Sequence, residues 1–220
     1  MGVLALSPSW ETYKISTGIN MPKQNRSYKK GAPHRDARLF IIIAEGERED
    51  SYFHWFDARN SRLSILIVDR PKNTSAPKYF IDRINKAEEE GIYSPQANDQ
   101  VWFVCDVDRW REQIEALRLS CEQVPNWNIA VSNKCFEVWL HFHSGSISHP
   151  IDVSCAELKS SLPGTSVGEF NTHKYCPLIK QAAENARAAD TNPGAHFPDL
   201  MQTKLYKLAD AMLEVLGHNW

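Results

Sequence analysis

Residues 101–108, from Val101 to Asp108, read VWFVCDVD. Five apolar or sulfur-bearing residues run directly into Asp106, Val107 and Asp108. A run this short and apolar predicts a strand buried on both faces, as in the middle of a parallel sheet. In open α/β sheets the working residues sit where strands end, at the carboxyl edge. Asp106 and Asp108 therefore present two hard oxygen donors at the strand's exit, suited to Mg²⁺ or Mn²⁺. The alternative is local: Asp106 caps the following helix and Asp108 is a solvated turn residue.

Working outward, residues 38–44 (RLFIIIA) predict a first central strand that ends at once in Glu45-Gly46, where glycine permits a tight turn or a close backbone approach. Residues 47–59 place Tyr52, Phe53, Trp55 and Phe56 on one helical face. Residues 64–68 (SILIV) predict a second strand, and residues 77–90 an amphipathic helix with Pro77 at its start and Gly91 just past its end. After the third strand, residues 110–121 form a helix carrying Ile114, Leu117 and Leu119. Residues 128–131 supply a fourth strand, and Ser132-Asn133 lead into a helix from Cys135 to His143. This alternation predicts an α/β fold, a parallel four-stranded sheet flanked by helices.

Three regions follow. Residues 1–36 are expected as a basic, mostly irregular arm, residues 37–144 as the α/β core, and residues 145–220 as a helical extension packed on it. In the extension, helices are expected at 155–161, 176–189 and 198–216. The last has Leu200, Leu205, Leu208, Met212 and Leu216 as a packing stripe.

At 220 residues, with 42% hydrophobic and 24% charged residues, the chain has the composition of a soluble globular protein. The net charge of -2 gives no global nucleic-acid signature. Locally, Lys23, Arg26, Lys29, Lys30, Arg35 and Arg38 face only Asp36. Of these, Lys29, Lys30, Arg35 and Arg38 are the candidate phosphate contacts. The equal alternative is a solvated arm. Cys105, Cys121, Cys135, Cys155 and Cys176 show no CxxC pairing, and Cys105 and Cys135, in apolar surroundings, read as reduced core thiols. Without a long apolar run or a signal-peptide pattern, no membrane span and a cytoplasmic location are expected.

A parallel sheet brings Glu45, Asp106 and Asp108 to one edge. Glu49 and Asp50 lie one turn into the helix after Glu45, and Glu137 follows the fourth strand. Such a cluster repels itself unless a cation neutralises it. Convergence therefore argues for a divalent metal, with a pair of Mg²⁺ ions suited to phosphodiester hydrolysis.

These residues resemble the Toprim domain, in which one strand ends in Glu-Gly, an acid follows, and a later strand ends in Asp-x-Asp. The finer pattern resembles the RloB-like branch. The matching residues are Glu45-Gly46-Glu47-Arg48-Glu49-Asp50 with Tyr52-Phe53, Asp106-Val107-Asp108, Ser132-Asn133 through Trp139-Leu140 with His141-Phe142, and Asn192-Pro193. The resemblance covers about residues 38 to 216. The wider pattern has Asp where this chain has Glu49. The branch has its acid one residue later, so the role passes to Asp50 with Glu49 in reserve. Lys134 stands where the branch tends to have proline, and Gly194-Ala195 replace a small hydroxyl pair.

The resemblance implies a metal-dependent nuclease acting on DNA or RNA, tRNA included, as effector of bacterial anti-phage defence beside an AAA- or ABC-type ATPase. Glu45, Asp106 and Asp108 are the implied metal ligands, with Asp50 and Glu137 in support. The chain has no phosphate-binding Gly-x-x-x-x-Gly-Lys-Ser/Thr loop, consistent with nucleotide hydrolysis in a partner. Homodimerisation is compatible with the pattern. The alternative is a non-catalytic Toprim-fold subunit that binds the ATPase or nucleic acid without cutting.

Overall fold

The computed structural model describes residues 37–217, apart from residues 58, 95, 108, 109, 148, 150 and 151. Asp108 and the arm residues Lys29, Lys30 and Arg35 thus lie outside the described residues. The sheet is built from β1 (Arg38–Ala44), β2 (Leu63–Ile67), β3 (Gln100–Asp106), β4 (Trp127–Asn133) and β5 (Gln202–Thr203). Their order is β2-β1-β3-β4-β5. The first four strands are mutually parallel, as expected from the strand–helix alternation.

The expectation of four strands needs correcting: β5 adds a fifth, antiparallel to β4 through Ser132↔Thr203 and Asn133↔Gln202. Two polar residues carry no apolar run, so β5 has no signal in the sequence. It is held instead by a hydroxyl hydrogen bond between Ser132 and Thr203 (2.8 Å) and by Lys204 N–H donating to the Val131 carbonyl (2.7 Å).

The helices are α1 (Glu47–His54), α2 (Phe80–Glu89), α3 (Arg111–Cys121), α4 (Phe136–Phe142), α5 (Cys155–Ser161), α6 (Thr172–Tyr175), α7 (Ile179–Ala189) and α8 (Leu205–Leu216). Prolines shorten two of the expected helices. Pro77–Tyr79 forms a 3-10 turn before α2, and Cys176–Leu178 another before α7. Gly91, just past α2, has φ +69°, the left-handed conformation that ends a helix without cost to glycine. The segment from 198 is loop and strand before α8 begins, so Leu200 leaves the stripe and is 37% exposed. Leu205, Leu208, Met212 and Leu216 are buried as expected. Leu119, at 49% exposure, faces away from the core that Ile114 and Leu117 enter.

Strand side chains alternate between two cores, which is why the sequence reads as unbroken apolar runs. Phe40, Ile42, Ala44, Trp102, Val104 and Ala130 pack against α1, α4, α7 and α8. Ile41, Ile43, Val101, Phe103, Cys105 and Val131 face α2 and α3. No described helix is long and apolar enough to cross a membrane.

Candidate functional site

Parallel register fixes the carboxyl edge. Ala44 of β1 pairs with Val104 of β3, and Asp106 of β3 pairs with Ser132 of β4. Glu45 and Asp106 meet there: Glu45 Oε1 accepts a hydrogen bond from Asp106 N–H at 3.0 Å. The Asp106 carboxylate in turn accepts from the Phe136 N–H at the start of α4, which brings Glu137 into the same space. Burial first, then the charges of Glu49, Glu45 and Glu137, push the Asp106 carboxyl well above the ordinary carboxylate range.

Glu49 is 6% exposed. Burial raises its carboxyl to about 7, with Glu137 and Asp50 adding to the effect and its own backbone N–H opposing it. Its position depends on Gly46. A Cβ there would stand 2.5 Å from Glu49 Oε2, so glycine leaves room for the carboxylate to fold back over the start of α1. The plainer reading of Glu49 is a helix-start acid that complements the positive end of α1.

Arginines border the acids. Arg48 Nη1 donates to Glu137 Oε1 at 2.5 Å, and its guanidinium lies 5.2 Å from the centroid of the Phe170 ring. Arg70, just after β2, pairs with Asp50 at 2.8 Å. Burial raises the Asp50 carboxyl while Arg70 opposes it, and Asp50 Oδ1 is buried without a hydrogen-bond partner among the described residues. Arg83, 5% exposed on α2, donates to the carbonyls of Ala44 (2.9 Å), Val68 (2.8 Å) and Asp69 (3.0 Å). It therefore closes the ends of β1 and β2 rather than facing a ligand. Burial, then the neighbouring Arg70 charge, lowers its pKa to about 10.

The structure thus brings Glu45, Glu49, Asp106 and Glu137 to one side of the edge and turns Asp50 toward Arg70. Among the described residues, no group of three or more His, Cys, Asp or Glu side chains is disposed to hold a metal ion. The partners explain this: Glu137 is held by Arg48, Asp50 by Arg70, and one Glu45 oxygen by the Asp106 N–H. Arg38 lies at the opposite, amino end of β1 and pairs with Glu214 at 3.4 Å. His141 and His143 are both buried. His143 Nε2 meets the Tyr52 hydroxyl (2.9 Å) and His141 Nε2 the Leu158 carbonyl (3.0 Å).

A family profile described as RloB-like protein matches residues 40–212. The chain belongs to the RloB-like family. No curated protein and no solved structure matches it. The family match opens inside β1 and closes inside α8, so it takes in every acid at the edge and the strand that β5 adds. Within this RloB-like chain, sequence reasoning gave no role to Arg48, Arg70 or Arg83 and ranked Glu49 behind Asp50. Arg70 had a signal: it follows β2 at the same edge where the acids follow β1 and β3. Arg48 and Arg83 had none, because their partners lie 89 and 39 residues away.

Proposed function

We propose that this chain is a divalent-metal-dependent nuclease with a Toprim-like sheet edge, hydrolysing phosphodiester bonds of DNA or RNA, tRNA included. It acts as effector of an anti-phage, abortive-infection system with a partner ATPase. The supporting observation is the packing of Glu45, Glu49, Asp106 and Glu137 at the carboxyl edge of β1, β3 and β4. There, burial and mutual repulsion hold Glu49 and Asp106 toward their protonated forms. A divalent cation relieves that repulsion, and an all-carboxylate donor set suits Mg²⁺ or Mn²⁺.

Glu45, Asp106 and Asp108 would be direct ligands, with Glu49, Glu137 and Asp50 in support. Bound there, the ion supplies charge stabilisation to an in-line displacement at phosphorus. Arg48 and Arg70 lie beside the acids and oppose the substrate's phosphate charge. When Arg48 turns to phosphate, Glu137 is released to orient water and take its proton.

A second reading has its own observation. The Arg48–Glu137 and Arg70–Asp50 pairs already neutralise two of the acids within the chain, as expected of a non-catalytic subunit that binds the ATPase or nucleic acid. Purified protein, with and without the ATPase, is incubated with plasmid and with tRNA in Mg²⁺, Mn²⁺ or EDTA. The nuclease reading expects metal-dependent cleavage, lost in EDTA and lowered at least about 100-fold in Asp106→Ala. Persistent cleavage by Asp106→Ala overturns the site assignment. Inactivity under every condition, with a stable ATPase complex, selects the second reading.

A further inference from the structure

Arg48 joins two groups that lie far from it in the chain. Its Nη1 donates to Glu137 Oε1 at 2.5 Å, and its guanidinium carbon stands 5.2 Å from the centroid of the Phe170 ring. The Arg48 and Glu137 side chains keep 23% and 14% of their surface exposed, so solvent reaches the pair. Phe170 is half-buried and packs on the core that α1 and α4 share, with the buried Tyr175 ring 5.6 Å from it between centroids.

The segment carrying Phe170 is braced on both sides of it. Before it, Gly168 N–H donates to Thr165 Oγ1 at 3.2 Å, and the Gly168 carbonyl accepts from the Tyr175 hydroxyl at 2.7 Å. After it, Asn171 Oδ1 accepts from the His173 N–H at 2.9 Å. The Asn171 carbonyl accepts from the Lys174 and Tyr175 N–H groups at 2.9 and 3.0 Å. The ring is thus positioned by bonds that its own side chain does not make. Lys174 is exposed, with its amine beside Gly168. Packing accounts for the buried part of the Phe170 ring. The part near Arg48 lies against a cation whose second partner is an acid of the edge.

We infer that Phe170 is a base-stacking residue and that the edge takes single-stranded nucleic acid. A phosphate of the strand draws Arg48 off Glu137, and the adjoining base takes the place of the guanidinium against the ring. Stacking on an aromatic side chain is open to every base, because each has a π-face. In a duplex those faces are covered by neighbouring bases, so a paired strand offers phosphate to Arg48 and nothing to Phe170. Lys174 stands beside the ring to meet a further phosphate. Unpaired loops of a folded RNA present such bases as well as single-stranded DNA does. This stacking role rests on the reading of the edge as a nuclease site and narrows its substrate.

The full chain, in EDTA, is titrated with labelled oligothymidylate and oligouridylate of about 12 nucleotides and with a duplex of equal length, and fluorescence anisotropy is read. Both single strands are expected to bind at least about tenfold more tightly than the duplex. Phe170→Leu is expected to weaken single-strand binding at least about fivefold more than duplex binding, and Phe170→Tyr to restore it. Ultraviolet irradiation of the wild-type oligothymidylate complex, followed by peptide mapping, is expected to find the adduct on Phe170. Equal binding of single strand and duplex, an equal loss of both in Phe170→Leu, an adduct that avoids Phe170, or no binding at all overturns the stacking role. Cleavage in Mg²⁺ or Mn²⁺ decides the nuclease reading separately. Phe170-dependent binding without cleavage removes the nuclease and keeps the stacking residue. Cleavage of single strands that Phe170→Leu leaves unchanged keeps the nuclease and removes the stacking residue.

Discussion

Glu49 carries its carboxyl in surroundings that resist a charge, and that resistance couples its protonation to folding. Its folded pKa of about 7 stands above the ordinary glutamate value of 4.5. The folded chain therefore holds a proton that the unfolded chain has released between those values. Stability from this group is fully present below pH 4.5 and is lost as pH rises through about 7. Glu49→Gln keeps the shape of the neutral acid and removes the titration. In EDTA, denaturant unfolding should find the variant close to wild type at pH 5 and more stable at pH 8, by at most about 3 kcal/mol. Equal stability at both pH values would show that the carboxylate is solvated. His143 is the contrasting case. Burial pushes its pKa down to about 3, so the neutral ring donates from Nδ1 to the Trp139 carbonyl and accepts the Tyr52 hydroxyl at Nε2. Both nitrogens are satisfied inside the core. At this scale Glu45 and Asp106 were legible because each follows an apolar run. The rule that exposed Glu45 and Asp106 reaches Asp69 when applied to β2, with Arg70 next to it.

Between elements, the junction of β5 and α8 turns on one buried ion pair. Lys204 Nζ meets Asp190 Oδ2 at 2.5 Å and the Asn192 carbonyl at 2.7 Å, and the Tyr206 hydroxyl donates to the same carboxylate at 2.7 Å. Burial works to raise the Asp190 carboxyl, but hydrogen bonds from Lys204, Tyr206 and the Asn192 N–H hold it below the ordinary range. Its contribution is therefore present at neutral pH and disappears only as acid protonates the folded carboxylate. Lys204→Met leaves that carboxylate buried without its cation and should cost about 3–5 kcal/mol at pH 7. Adding Asp190→Asn should recover part of the loss. Urea unfolding of the two variants checks both numbers, and a loss under about 1 kcal/mol for the single variant would mean that water replaces the amine. The sequence marked Asn192-Pro193 through its family pattern, yet gave no sign that Lys204 reaches back to it. A lysine in a polar stretch reads as solvated until the fold surrounds it.

For the molecule as a whole, the C-terminal helices share a core with the sheet. Met212 and Leu208 of α8 and Ala182 and Ala186 of α7 are 0% exposed, in the same cluster as Phe40, Phe53 and Trp139. Two-state unfolding is the expected result when one core joins the elements. Tryptophan fluorescence and far-UV circular dichroism should report a single coincident urea transition. Met212→Ala should move both probes together, at a cost of about 2–5 kcal/mol. A transition in which the dichroism change separates from the fluorescence change would show that the helices after residue 145 unfold on their own.

The sequence by itself determined that four strands run parallel, that β3 is buried on both faces, and the edge to which Glu45 and Asp106 belong. These follow from local runs and from the direction a parallel strand must take. Only the tertiary structure decided the fifth strand, the turn of Asp50 toward Arg70, the burial of Glu49 near Glu137, and the pairing of Arg48 with Glu137. Each depends on two segments far apart in the chain meeting at one place. Side-chain charge and burial at such a place are set by the partner segment, and no local pattern encodes it.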